Sequence, residues 1–103
     1  MLSEYQEPKY GIRDNKLTSR QTGHPVPDDE PVFILRARDP YAQRAIMAYH
    51  DLVPKESTEH REAVKTRAAQ FANWAALHPD RMKEPDTTIT QGFTSAGNPP
   101  PAK

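Results

Sequence analysis

The chain contains no cysteine. No disulfide can staple it, and thiolate metal sites and cysteine nucleophiles are excluded. Glycine is scarce: Gly11, Gly23, Gly92 and Gly97 are scattered, so no phosphate-cradling glycine loop exists. Long apolar runs are missing as well. No stretch approaches the ~18 residues of a membrane span, and the N-terminus has no apolar run of signal-peptide length. Neither sign of charge is in excess: Lys+Arg and Asp+Glu number 14 each. Non-specific nucleic-acid binding comes from neutralising phosphates, so this balance argues against it and leaves only a local basic patch. His24, His50, His60 and His78 form no i,i+4 pair and no HExxH motif, and no GxSxG elbow is present. His50-Asp51 and Glu59-His60 are neighbours in sequence, whose side chains should diverge on a helix. The expectation is a soluble, cytoplasmic protein that is not an enzyme, with no metal, no cofactor and no membrane contact.

What is present fits one small domain. Of the 103 residues, the first eight and roughly the last twenty are poor in large apolar side chains, which leaves about 70–75 for a core. A domain of that size buries only about 60% of its unfolded surface. Oligomerisation is the remaining common way to bury more, and a homo-oligomer is expected.

The pattern predicts an α+β fold: an N-terminal β-hairpin, a central strand, and two antiparallel helices packed on the sheet. Residues 1–9 are expected to be flexible, 10–82 to form the domain, and 83–103 to be a proline-rich tail or arm. Tyr10–Arg13 alternates, and Leu17–Ser19 follows after Asp14-Asn15-Lys16, with Asn15-Lys16 an imperfect type I′ turn. His24-Pro25-Val26-Pro27 must be extended. Val32–Arg38 is an apolar, β-branched and aromatic run that reads as a buried central strand, with Val32–Leu35 in the middle of the core. Asp39 is a good N-cap and Pro40 a good first helical residue. Ala42, Ala45, Ile46, Tyr49 and Val53 then recur at helical spacing up to Pro54. Ser57 or Thr58 starts a second helix whose apolar positions are Val64, Ala68, Phe71, Trp74, Ala75 and Leu77. It ends near His78, before Pro79. Phe71 and Trp74 read as core, or else as an interface. Lys55, Arg61, Lys65 and Arg67 read as a solvated face interleaved with Glu56, Glu59 and Glu62. Thr87–Thr90 suggests an edge strand or arm, and Ser95–Lys103 a flexible tail.

The candidate binding residues are Arg36, Arg38, Tyr41 and Arg44. Two apart on a strand, Arg36 and Arg38 would project to one side roughly 7 Å apart. Guanidinium forks suit phosphate or carboxylate. They precede a helix start, whose free amides favour anions. Arg44 lies one turn into that helix, and Tyr41 offers a ring for stacking. The competing reading is that Asp28, Asp29, Glu30, Asp39 or a neighbouring subunit's acids satisfy both arginines.

The run Thr22-Gly23-His24-Pro25-Val26-Pro27-Asp28-Asp29-Glu30-Pro31-Val32-Phe33-Ile34-Leu35-Arg36-Ala37-Arg38-Asp39, with Ala42 and Ala48-Tyr49 after it, resembles a group of small bacteriophage and prophage accessory proteins. They share a turn, an extended proline segment, a PVFxLRAxD-like strand and an alanine-rich helix pair. The likeness covers residues 10–80 and transfers no binding residue. It implies an accessory role, such as counter-defence, by binding a host protein or by sequestering a nucleotide signal between subunits. The leading expectation is non-enzymatic capture of a phosphate-bearing small molecule. The alternatives are a protein-interaction module acting on a host protein and a small virion structural protein.

Overall fold

The computed structural model describes residues 2–86. Thr87–Thr90 and the tail from Ser95 lie outside them. Contacts divide the chain between Ile34 and Leu35 into two compact units.

The first unit is built on a two-stranded antiparallel hairpin, β1 (Tyr10–Arg13) and β2 (Lys16–Ser19). Register pairs Tyr10 with Ser19 and Arg13 with Lys16. The two-residue loop is therefore Asp14-Asn15, one position earlier than Asn15-Lys16. Both residues take positive φ, 52° and 62°. A type I′ turn requires this, and Asp and Asn tolerate it best after glycine. Lys16 is released from the turn and becomes the first residue of β2. A second reversal follows at Gly23, whose φ of 77° only glycine adopts freely. It returns His24–Val26 along β2: the Ser19 N–H donates to the His24 carbonyl (3.0 Å) and the Val26 N–H to the Leu17 carbonyl (2.8 Å). Little is buried here beyond Thr18, and Ile12 remains 45% exposed.

Arg20 holds this unit together, a role its sequence context does not announce. Its Nε donates to the carbonyls of Tyr10 (3.0 Å) and Glu7 (3.2 Å), and its Nη2 to that of Leu2 (2.8 Å). The segment before β1 is thereby bonded to the hairpin. A shallow cleft of about 430 Å³ lies beside it, lined by Pro8, Lys9, Tyr10, Ser19, Arg20 and Gln21.

The second unit is an antiparallel helix pair, α1 (Ala42–Leu52) and α2 (Thr58–Leu77), followed by a 3₁₀ turn over Pro79–Arg81. Near the loop end, Arg61 Nη1 donates to the carbonyls of His50 (3.1 Å) and Val53 (2.6 Å). The Tyr49 hydroxyl meets His60 Nε2 at 3.0 Å. At the other end, the Lys83 N–H donates to the Arg38 carbonyl (2.9 Å) and the Tyr41 hydroxyl to Glu84 (2.8 Å). Pro54 stops α1 and Pro79 stops α2, as the sequence requires.

The inner stripe of α2 is His60, Arg61, Val64, Arg67, Ala68, Phe71, Trp74, Ala75 and His78, a 3–4 spacing. Ala68 is almost wholly covered. Leu77, expected inside, is exposed because it falls outside this stripe. On α1 the covered residues are Ala42, Ile46, Met47 and His50, with Val53 just past its end. Ala45, expected inside, is exposed; Tyr49 is half-exposed, with its ring edge-on to that of His60 at 5.7 Å; and the covered stripe also takes in His50. Its ring nitrogen Nδ1 meets Asp51 Oδ1 at 3.0 Å, so these neighbouring side chains converge rather than diverge. Arg61 and Arg67 are not a solvated face. Arg61 spends a donor on the Val53 carbonyl, which has no backbone donor among the described residues, and adds a second bond to the His50 carbonyl, which already accepts the Val53 N–H. Arg67 lies 5.8 Å from the Phe71 ring centre. The Arg81 guanidinium lies 4.8 Å from the Trp74 ring centre, and the His78 ring centre lies 4.6 Å from it.

The expected central strand is absent among the described residues. Residues 31–36 carry no strand assignment, and the backbone of Val32–Leu35 has no backbone hydrogen-bond partner there. Val32, Phe33 and Ile34 are 54%, 87% and 76% exposed, not buried. A strand needs an adjacent edge, and the edge of β2 facing away from β1 is taken by His24–Val26. Apolar, β-branched composition is satisfied equally by a buried strand and by an extended segment awaiting a partner.

Candidate functional site

The stretch from Glu30 to Arg44 has three local conformations. A turn closes at its start, where the Glu30 N–H donates to the Pro27 carbonyl (3.1 Å). A second closes where the Asp39 N–H donates to the Arg36 carbonyl (3.0 Å). Between them residues 31–35 run without regular structure. After them Asp39 starts the helix: its Oδ1 accepts from the Tyr41 N–H (2.8 Å), and its carbonyl from the Ala42 N–H (3.1 Å). Tyr41 occupies the formal N-cap position without a side-chain cap bond. Asp39 thus satisfies a free amide as expected, two residues ahead of the formal N-cap Tyr41.

Arg36 and Arg38 do not project side by side from a strand. The chain turns at Ala37-Arg38, so the alternation that would align them is broken. Arg36 and Arg44 are exposed, and Arg38 is half-buried. Among the described residues none of the three guanidinium groups pairs with a carboxylate. Two of the acids expected to satisfy them are engaged elsewhere. Asp28 pairs with Lys16 at 3.0 Å, and Asp39 with the backbone of Tyr41. Tyr41 itself is committed to Glu84. That hydrogen bond, together with the negative charge of Glu84 and then Asp39, holds its phenol above its ordinary pKa. Tyr41 is therefore a neutral hydrogen-bond donor to a carboxylate, and an anion approaching it meets Glu84 first.

The residues just before these depart furthest from the expected buried strand. Phe33 stands out in solvent between Val32 and Ile34. Its signal was legible as an apolar run, but exposure depends on which strand edges are free, and no residue pattern records that. Among the described residues there is no group of three or more histidine or acidic side chains able to hold a metal ion. No helix of the described chain is long and apolar enough to cross a membrane.

Comparison of the chain with protein-family models, with curated proteins and with solved structures gave no match.

Proposed function

We propose that the protein works by binding another protein, without catalysis, and that residues 31–35 are the part that binds. The observation carrying this reading is the exposure of Phe33, at 87%, beside exposed Val32 and Ile34. Contiguous exposed apolar residues rimmed by polar ones mark interaction sites, and aromatics anchor them. Glu30 and Arg36, both exposed, flank the run in sequence. A segment whose backbone groups have no backbone partner among the described residues suits strand addition to a partner's sheet edge, where main-chain bonds give affinity and alternate side chains give specificity. The resemblance to small phage and prophage accessory proteins implies a host protein or a nucleotide signal as the partner, and the exposed apolar run favours the protein. The test uses the full chain and its Phe33→Asp variant as baits in parallel. A protein retained by the first and lost by the second is expected. Identical retained sets overturn the reading.

A second reading is favoured by the guanidinium groups of Arg36, Arg38 and Arg44 near the start of α1 in sequence, which pair with no carboxylate among the described residues. They suit a phosphate-bearing small molecule such as a nucleotide. Calorimetric titration with cyclic and linear nucleotides tests it. Binding that weakens at least tenfold in the Arg36→Ala/Arg38→Ala variant supports it. Absent heat, or heat unchanged in that variant, overturns it.

A further inference from the structure

We infer that residues 30–36 pair with the same residues of a second copy, as a two-fold antiparallel ribbon centred on Phe33. The inference rests on the reading that 31–35 is the binding element, and it names one occupant for it.

The pairing follows from the order of residues. A two-fold antiparallel pair must set one residue opposite its own copy, because hydrogen-bonded and non-hydrogen-bonded pairs alternate along the ladder. With Phe33 at the centre, Val32 faces Ile34 of the other copy, Pro31 faces Leu35, and Glu30 faces Arg36. Every apolar residue meets an apolar one, and each end carries a pair of opposite charge on the face of Val32 and Ile34. Centring on Ile34 would oppose Arg36 to Val32. Centring on Val32 would oppose Glu30 to Ile34. Parallel pairing in register would set Glu30 beside Glu30 and Arg36 beside Arg36. Only the Phe33-centred antiparallel register avoids all of these.

Hydrogen bonding agrees with that register. Pro31 has no N–H and must occupy a non-hydrogen-bonded pair. Phe33, two residues on, then does too. Directly opposed side chains come closest in such pairs, with Cα atoms about 4.5 Å apart. Val32 and Ile34 fall on the hydrogen-bonded pairs, and their N–H and C=O groups have no backbone partner among the described residues. At the ends the Glu30 N–H and the Arg36 carbonyl are already used by the flanking turns. The Arg36 N–H and the Glu30 carbonyl remain for one bond between the copies. The two turns thus bound the ribbon at the residues where the charge pairs stand.

A ribbon this short buries less than the ~1,200 Å² of a standard interface, so association is weak and concentration-dependent. Sedimentation equilibrium of the full chain over a wide concentration range should show monomer and dimer. Glu30→Arg and Arg36→Glu should each weaken the dimer about tenfold. The Glu30→Arg/Arg36→Glu double variant should restore it. The absence of native cysteine makes the register directly readable. Oxidised Phe33→Cys should cross-link to itself several-fold faster than Val32→Cys or Ile34→Cys, and a mixture of the last two should cross-link to each other. A monomer at all concentrations overturns the inference, as does equal cross-linking at 32, 33 and 34, or a double variant weaker than both single ones. A monomeric chain that still retains a protein through Phe33 overturns self-pairing alone. A dimer with no Phe33-dependent protein in the bait experiment upholds self-pairing and overturns the host-protein reading.

Discussion

The hairpin unit and the helix pair use arginine for the same purpose in opposite surroundings. Arg20 gathers the carbonyls of Leu2, Glu7 and Tyr10 at the surface of a unit with almost no apolar interior. Arg61 gathers those of His50 and Val53 from a half-buried position within the α2 stripe, where Ala68 is almost wholly covered. In the first unit the polar bonds are most of what specifies the conformation. In the second they finish a packed seam. Charge-assisted bonds strengthen as water is excluded, so the same chemistry should matter more at Arg61 than at Arg20.

The largest effect should come from the seam. Ala68→Leu forces side-chain bulk into the covered face between α1 and α2 and should cost about 1–3 kcal/mol. Thermal unfolding followed by helix circular dichroism measures it. A variant as stable as the parent would mean that the seam is loose and that the two units differ less than their burial suggests. Arg61→Ala should follow, at about 1.5–2 kcal/mol, since it leaves the Val53 carbonyl without a donor and takes one of two bonds from the His50 carbonyl. Faster hydrogen exchange at the C-terminal amides of α1 is the specific sign. Arg20→Ala should cost about 1 kcal/mol, and the lost protection should be confined to β1 and the residues before it. An Arg20→Ala loss larger than that of Arg61→Ala would invert the comparison.

Much of the helix pair was legible in the sequence, and the reason is local. Pro54 and Pro79 end helices whatever surrounds them, and Ala68, Phe71, Trp74 and Ala75 keep helical spacing. What misled were amphipathic residues. His50, His60, Arg61 and Arg67 look polar and sit on the inner stripe, because rings and aliphatic stems pack while nitrogen atoms find partners. Tyr49 looks like core, and it stays half-exposed while its ring and hydroxyl meet His60 across the pair. The hairpin was legible, but its turn lay one residue earlier, since Asp14 accepts positive φ nearly as well as Asn15. The central strand was not, because pairing is a non-local property and Val32–Leu35 has the composition of a strand whether or not an edge is at hand. The candidate arginines were located, yet their alignment depended on that strand and went with it.

Two smaller effects sharpen the contrast. Asn15→Gly should stabilise the hairpin by about 0.5 kcal/mol, since glycine removes the residual strain of positive φ in a type I′ turn. The check is increased protection of the β1–β2 amides with the helix amides unchanged. In the helix unit, Tyr41 gives a pH signature. Its folded pKa is raised above the unfolded value, so its bond to Glu84 contributes below the unfolded pKa and is lost as pH rises through the folded one. Absorbance titration of the phenols should show one tyrosine ionising later than the rest. Glu84→Gln should move it back towards the ordinary range. A titration unchanged in Glu84→Gln would show that Glu84 does not hold the phenol.

The guanidinium of Arg20 also lies across the place where a side chain on Gly11 would begin. A Cβ there would come within 3.2 Å of its central carbon. That end of the arginine would have to give by a few tenths of an ångström, and the carbonyls it holds resist the shift. The two positions are therefore tied in descent. Among relatives of this chain, a residue larger than glycine at position 11 should travel with a shorter one at position 20. In the laboratory, Gly11→Ala should be harmful in the parent and nearly neutral once Arg20→Ala has been made.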